Sequence, residues 1–171
     1  MPQLSLHTPV GDLTVSEEND RIVALDWGWG RDQSNTSGLI EARRQLQAFF
    51  DGELAVFALP LAPSGTAYRK LIWQAIGKIS TGETRTYLQV AQTAGGSAQS
   101  IGGAMAANPI PIIIPCHRVV ATRGPGGYSG GDGLSTKHFL LGLERRIAGF
   151  PPLAWAFETQ TDTAQERLEL S

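Results

Sequence analysis

The sequence predicts an α/β N-terminal part, a small antiparallel sheet plus a helix, followed by a mostly α C-terminal domain with a helix-turn-helix. Two observations predict the first part: apolar and polar residues alternate from Leu4 to Leu25, and apolar residues recur at helical spacing from Leu39 to Phe50. A third observation predicts the second part, because two short helical segments flank the Gly95-Gly96 pair. We therefore expect two parts of different construction.

Turn residues set the limits of the N-terminal elements. The alternating stretch is interrupted at Pro9-Val10-Gly11 and at Glu18-Asn19-Asp20, which divides it into strands. Asp51-Gly52 ends the helix, and the proline-containing stretch from Pro60 to Gly65 is the expected seam. The predicted divisions are a structural N-terminal domain over residues 1–62, a helical domain over 63–150 and a tail of unknown role over 151–171.

The C-terminal part is predicted to consist of short helices. The stretch from Thr66 to Ile79 is amphipathic, and Thr86 is a cap for a helix from Tyr87 to Thr93. Ala98 to Ala107 forms the second helix of the helix-turn-helix, and Thr136 to Ile147 forms a last helix. Because the second helix carries almost no polar groups, it could wedge into a nucleic-acid groove but not read base edges. Helix-turn-helix geometry also occurs as plain packing.

Composition limits the kinds of site and the cellular compartment that we expect for the protein. The chain has 171 residues and a single cysteine, which excludes an internal disulfide and a zinc site built from several thiolates, so a cytoplasmic setting is expected. No cofactor motif, signal peptide or membrane-spanning segment stands out.

Charge is unevenly distributed along the chain. The net charge of −2 argues against nucleic-acid binding, yet nine basic residues stand against three acidic ones between Ser64 and Arg146. That central module could contact phosphates, or its charges could simply solvate exposed helix faces.

The single cysteine, Cys116, has the surroundings of a nucleophile. It follows the apolar run from Ile110 to Pro115 and precedes His117 and Arg118. An imidazole and a guanidinium can both favour the reactive thiolate. A lone cysteine in such a position can equally be inert core, so position alone leaves both interpretations open.

Four ordered blocks of sequence carry a family resemblance. They are 101–105 (IGGAM), 108–111 (NPIP), 115–120 (PCHRVV) and 127–131 (GYSGG), with weaker matches upstream and downstream over roughly residues 4–150. In this order and spacing the chain resembles the O6-alkylguanine-DNA alkyltransferases. The resemblance implies DNA repair by stoichiometric transfer of an alkyl group from O6-alkylguanine, with O4-alkylthymine as a further lesion, to Cys116. Residues 63–150 would then be the DNA-binding and alkyl-acceptor domain.

The resemblance also implies the catalytic roles. Cys116 would be the nucleophile, and His117, acting through a water, would remove its proton while Glu144 orients the imidazole. Asn108 would brace the turn, and Tyr87 would hydrogen-bond the purine ring. The thioether product has no carbonyl for water to attack, so each molecule reacts once. No metal and no cofactor would be required.

Further residues would hold the damaged base. The carbonyls of Cys116 and Val119 would accept from the guanine amino group, and Tyr128 and Ser129 would line the pocket and contact O6. Met105 would complete the lining.

The expected partner is double-stranded DNA that contains alkylated guanine, bound by a monomer. Such a site requires the base to be rotated out of the duplex, with the small helix in the minor groove. The expected DNA contacts are Gln99, Ser100, Ile101, Gly102, Gly103, Ala106, Arg85 and Arg118.

The chain departs from the family pattern in two places. Gln99 stands where the family usually has an arginine that enters the duplex, and glutamine is shorter and uncharged. The stretch between Tyr128 and Lys137 is two residues longer than usual, and the stretch from Cys116 to Tyr128 is one residue shorter. Both departures bear on how the lesion is delivered, and neither removes the nucleophile or its base.

Other interpretations remain open from the sequence alone. Because of Gln99, the protein could be a sensor that binds alkylated DNA with little or no alkyl transfer. A cysteine hydrolase is a third possibility and would show multiple turnovers. Individually, Tyr87 and Tyr128 could be core aromatics, Asn108 a cap, and Glu144 an exposed partner of Arg145.

Overall fold

The computed structural model describes residues 1–154, and the greater part of the predicted tail, from residue 155 onward, lies outside the described residues. The N-terminal part is a three-stranded antiparallel sheet, with β1 (Gln3–Leu6), β2 (Leu13–Glu18) and β3 (Arg21–Trp27) in that order. Asn19 and Asp20 make the β2–β3 turn with positive φ, a conformation that asparagine and aspartate tolerate better than most residues. The predicted antiparallel sheet is confirmed.

One helix covers the sheet. α1 (Ser37–Phe50) begins at Thr36, whose side chain accepts a hydrogen bond from the Leu39 backbone. Its buried residues recur at helical spacing, so one apolar stripe packs against all three strands. They are Leu39, Ala42, Gln45, Leu46 and Phe49. The predicted helix is confirmed, with its start two residues earlier than the sequence indicates.

The C-terminal part is mostly helical, as predicted. It contains α2 (Ala67–Ile76), β4 (Arg85–Thr86), α3 (Tyr87–Ala94), α4 (Ala98–Ala106), a 3₁₀ turn (Cys116–Arg118), β5 (Val119–Val120) and α5 (Leu134–Ala148). α3 begins with a capping box between Thr86 and Gln89, which confirms the prediction that Thr86 is its cap. Within residues 1–154, no helix is long and apolar enough to cross a membrane.

Tight packing fixes the turn between α3 and α4. Gly95 and Gly96 both have positive φ, and a side chain at Gly96 would overlap the hydroxyl of Tyr68. That hydroxyl donates to the Gly95 carbonyl, with an oxygen–oxygen distance of 3.0 Å. The helix-turn-helix is therefore anchored to α2.

Two backbone pairings position the segment that carries Cys116. The Leu25 amide of β3 donates to the Pro109 carbonyl at 2.9 Å, which ties the N-terminal sheet to the chain ahead of the cysteine. β4 pairs in parallel with β5, with Arg85 opposite Val119, and this brings the start of α3 beside the 3₁₀ turn. One continuous core joins both parts of the chain beneath this segment.

Candidate active site

A hydrogen-bonded loop holds Cys116 in place. The Asn108 amide donates to the Ile114 carbonyl at 2.8 Å, and its side-chain oxygen accepts from the Ile110 amide at 3.0 Å. The loop also forces Ile112 to a φ of +73°, which is strained for a β-branched residue. Asn108 thus links the two ends of the loop through its side chain. It does more than act as a cap before Pro109, which was the alternative interpretation.

Cys116 is a buried thiol at the edge of a cavity. Only 7% of the residue is exposed. Burial raises the pKa of the Cys116 thiol, while a hydrogen bond from Asn108 and the positive charge of Lys137 act in the opposite direction. Because the thiol form is favoured at rest, reaction at this sulfur requires a base.

A base and an acid lie directly behind the cysteine. His117 Nε2 is 2.7 Å from Glu144 Oε1, and both side chains are fully buried. Burial opposes ionisation of Glu144, but its contacts with His117 and with the Arg118 guanidinium outweigh the burial and hold the pKa of Glu144 at about 2. The interpretation of Glu144 as an exposed partner of Arg145 is wrong.

The ionised carboxylate fixes the tautomer of the imidazole. An ionised carboxylate can only accept, so Nε2 of His117 carries a hydrogen, and in the neutral imidazole the lone pair then lies on Nδ1. Nδ1 is buried and has no hydrogen-bond partner among the described residues. In its neutral form His117 therefore presents a basic nitrogen that no other described residue engages.

Arg118 belongs to the same network and not to a DNA-facing surface. Its Nε lies 3.1 and 3.0 Å from the two oxygens of Glu144, and its Nη2 bonds the same carboxylate. Its Nη1 donates to the Ile79 carbonyl at 2.5 Å. The expectation that Arg118 contacts DNA is corrected, because its guanidinium is buried and fully engaged inside the protein. The cation that favours the Cys116 thiolate is Lys137, whereas the sequence suggested Arg118 for this role.

A cavity of about 400 Å³ opens in front of the cysteine. Tyr87 reaches it from the start of α3, and Met105 from α4, while Tyr128 and Ser129 form the loop wall. The complete lining is Tyr87, Gly102, Met105, Ala106, Cys116, Gly127, Tyr128 and Ser129. A larger cavity of about 750 Å³, beside Arg21 and Lys70, is not lined by Cys116 or by a histidine, so the chemistry and not the volume identifies the candidate site.

The two tyrosines of the cavity have hydroxyls that are hard to ionise. Burial raises the pKa of Tyr87 and, more strongly, that of Tyr128. The Tyr128 hydroxyl is buried without a hydrogen-bond partner among the described residues. Both phenols are therefore present as potential hydrogen-bond donors towards a molecule in the cavity.

Sequence reasoning gave no role to Lys137, which lies under the cavity. Its Nζ donates to the Val119 carbonyl at 2.7 Å and to the Gly127 carbonyl at 2.9 Å. Burial lowers the pKa of Lys137 to about 8, with the Cys116 charge acting in the opposite direction. A sequence signal was present, because Lys137 and Glu144 share one face of α5 with Leu140 and Leu141, and charges on an apolar face are unusual.

Trp27 of the N-terminal sheet was also missed. Its ring meets Tyr128 edge to face at 6.3 Å, and a side chain at Gly130 would overlap it. Its indole nitrogen donates to the Val10 carbonyl at 3.1 Å. The N-terminal part therefore buttresses the loop wall of the cavity, a contact that no local pattern in the sequence indicates.

Only part of the predicted DNA surface is accessible. Gln99, Gly103 and Ala106 are exposed on one face of α4, Gly102 is half-buried beside them, and Arg85 is exposed. Ile101 is fully buried in the core, so the expectation that its side chain contacts DNA is corrected. The Ser100 hydroxyl accepts from the Ser97 amide at 2.9 Å as half of a capping box, which favours a structural role.

Comparison with known proteins gives consistent matches over both parts of the chain. Residues 4–63 match the ribonuclease-like domain, and residues 67–146 the DNA binding domain, of 6-O-methylguanine DNA methyltransferase. The constitutive methylated-DNA–protein-cysteine methyltransferase of Bacillus subtilis is 39% identical over 152 residues, covering 81% of this chain and 92% of the relative. The Methanosarcina mazei methylated-DNA–protein-cysteine methyltransferase is 44% identical over 133 residues, covering 76% and 80%.

Solved structures agree with these sequence matches. Mycobacterium tuberculosis OGT in complex with DNA superposes with a TM-score of 0.77 at 32% identity, over 86% of this chain and 94% of that one. An O6-methylguanine DNA methyltransferase from Methanococcus jannaschii superposes with a TM-score of 0.62 at 26% identity, over 83% and 93%.

Proposed function

The chain belongs to the 6-O-methylguanine DNA methyltransferase family, and on that premise we propose that it repairs DNA by moving an alkyl group from guanine O6 to Cys116. The observation that carries the proposal is the buried Cys116, His117 and Glu144 set at the edge of a cavity. The sulfur attacks the alkyl carbon, an S–C bond forms, and the C–O bond breaks with its electrons going to O6. The thioether is stable, so each molecule acts once.

The proton path follows from the tautomer of His117. The free Nδ1 takes the thiol proton, relayed by one water molecule, as the sulfur attacks. Because burial raises the pKa of the Cys116 thiol, the thiolate has to be generated by a base for the attack. The departing guanine takes a proton at its ring from the Tyr87 hydroxyl. The proton that His117 gained then returns through water to Tyr87, so the net transfer is from the thiol to guanine and both residues regain their starting states.

The cavity supports recognition of a guanine rotated out of the duplex. A volume of about 400 Å³ is large enough for one base, which has to leave the duplex stack to reach Cys116. The Val119 carbonyl has a second lone pair beyond its bond to Lys137 and can accept from the guanine amino group. Ser129, exposed at the rim, is placed to contact O6.

α4 supports entry into a minor groove. Its exposed face consists of Gln99, Gly103 and Ala106, and small residues allow close approach of the backbone to the duplex. Arg85, in β4 just before α3, adds a phosphate contact. We further propose that the protein acts as a monomer, since one chain supplies the whole site, and that it acts in the cytoplasm.

Mass spectrometry after incubation with duplex DNA containing O6-methylguanine tests the proposal. We expect the Cys116 peptide to gain one methyl group per lesion consumed, with no second turnover. The Cys116→Ser variant is the matched control and should bind the same DNA while leaving the lesion intact. An unmodified Cys116 peptide beside unchanged DNA would overturn the proposal, and tight lesion binding without transfer would point to the sensor. The sensor is not favoured, because the base and acid behind Cys116 are complete.

A further inference from the structure

We infer that Arg118 is a positioning residue for the catalytic base: it balances the charge of Glu144, so that His117 remains a neutral imidazole able to accept the thiol proton. The inference rests on the proposed alkyl transfer to Cys116. It adds a fourth side chain to the reaction, one that touches neither the thiol nor the base to be repaired.

The geometry shows one carboxylate shared by two partners. Glu144 Oε1 is 2.7 Å from His117 Nε2, while Arg118 Nε is 3.1 Å from Oε1 and 3.0 Å from Oε2. Arg118 is always charged, and its fork matches a carboxylate in a way that a lysine cannot. Glu144 is therefore satisfied by a permanent cation before His117 contributes any charge.

Charge balance makes this arrangement matter for catalysis. A buried glutamate that faces only a histidine favours the imidazolium, because the two opposite charges stabilise each other in a low dielectric. An imidazolium has no lone pair and could not take a proton from Cys116. With Arg118 present, a neutral His117 leaves the trio with no net charge, and Nδ1 stays available.

The other charged groups near the trio do not replace Arg118. Lys137 of α5 is bound to the carbonyls of Val119 and Gly127, on the Cys116 side of the site. The Tyr128 hydroxyl and the Cys116 thiol are the other titratable groups there, and burial raises the pKa of both. The charged residues of α2, Arg69 and Lys70, are exposed.

Contacts on its far side hold Arg118 against Glu144. Its Nη1 donates to the Ile79 carbonyl and its Nη2 donates to the Thr81 hydroxyl at 3.2 Å. The Thr81 hydroxyl in turn donates to the Ala55 carbonyl, so the hydrogen-bonded chain begins in the N-terminal part. These contacts fix the guanidinium in one orientation.

The test compares Arg118→Met, which removes the charge at similar length, with Arg118→Lys, which keeps it. Nitrogen NMR of the unreacted protein follows protonation of His117 against pH, and His7 and His138 serve as internal controls. In Arg118→Met we expect the His117 titration midpoint to move up by about one pH unit or more. The single-turnover rate should fall at neutral pH and recover as the pH is raised. Arg118→Lys should titrate close to the parent protein.

A double variant separates charge balance from packing. Arg118→Met combined with Glu144→Gln removes both charges and should fold even if the single Arg118→Met does not, since a buried pair is replaced as a unit. In this variant His117 should remain neutral at neutral pH. An unmoved titration midpoint in Arg118→Met, with an equal loss of rate at every pH, would overturn the inference, as would an imidazolium at neutral pH in the double variant. The titration of His117 is measured without DNA. A failure of this inference can therefore be distinguished from a failure of the proposed alkyl transfer.

Discussion

The two walls of the cavity are built by different means. Behind Cys116, each charged side chain is buried and bonded to a named partner, as in the contacts of Glu144 with His117 and Arg118. Across the cavity, α4 presents Gly103 and Ala106 to solvent, and neither residue has a side chain that can form a hydrogen bond. One wall is a network of charges, and the other is a nearly bare backbone.

This difference separates the reaction from the delivery of the substrate. In the charged wall, loss of one partner leaves another buried charge unpaired, which costs several kcal/mol. A side-chain change on the exposed face of α4 disturbs no such partner; a Cβ at Gly102 or Gly103 would meet nothing within 4 Å. We therefore expect the departure at Gln99 to alter DNA handling while the chemistry at Cys116 persists.

Glu144→Gln should have the largest effect. The amide cannot balance Arg118 or stabilise a protonated His117, so the single-turnover rate should fall by about 100-fold or more. The free energy of unfolding should fall by about 3–5 kcal/mol, because the Arg118 charge is left buried without its partner. Stopped assays of methyl transfer and urea unfolding measure the two effects.

Glu41→Gln is the matched control, because Glu41 lies on α1 and pairs with Arg44 at the surface. It should leave the transfer rate unchanged. DNA affinity should be the same in Glu144→Gln as in the parent protein, since Glu144 does not reach the α4 face. A rate loss below tenfold would show that the charged wall is not needed for the reaction.

Local sequence patterns predict some features of the site and not others. Cys116 and His117 are neighbours in sequence, and the cap at Thr86 and the Gly95-Gly96 turn follow from residue type. The buried partners of Glu144 could not be predicted in the same way. Arg118 was expected among the DNA contacts, and a charged residue is usually exposed. It is buried here because α5 places Glu144 against the 3₁₀ turn.

Contacts between the two parts of the chain are the least predictable feature. Trp27 lies about a hundred residues from the loop it buttresses, and nothing near Trp27 in the sequence indicates that loop. The N-terminal sheet and the helices follow from short-range patterns, whereas this packing depends on how the N-terminal sheet docks. The domain predicted as merely structural thus reaches the cavity wall.

Lys137→Met should have an intermediate effect. Removal of the ammonium leaves the Val119 and Gly127 carbonyls without their donor and removes the cation nearest to Cys116. We expect the single-turnover rate to fall by about tenfold, from a loosened pocket and a thiol that is harder to ionise. Lys78→Met, at an exposed position, is the control and should react normally. An unchanged rate in Lys137→Met would mean that the carbonyls are held by the rest of the fold.

Gln99→Arg should have the smallest effect on chemistry and the clearest effect on DNA binding. An added cation on the exposed face of α4 should tighten binding to duplex DNA by severalfold and steepen its salt dependence by about one counterion. Reaction with free O6-methylguanine, which needs no duplex, should proceed at the parent rate because Cys116 and its base are untouched. A change in the rate with the free base would show that α4 acts on the thiol, and the two walls would then have to be regarded as one coupled unit.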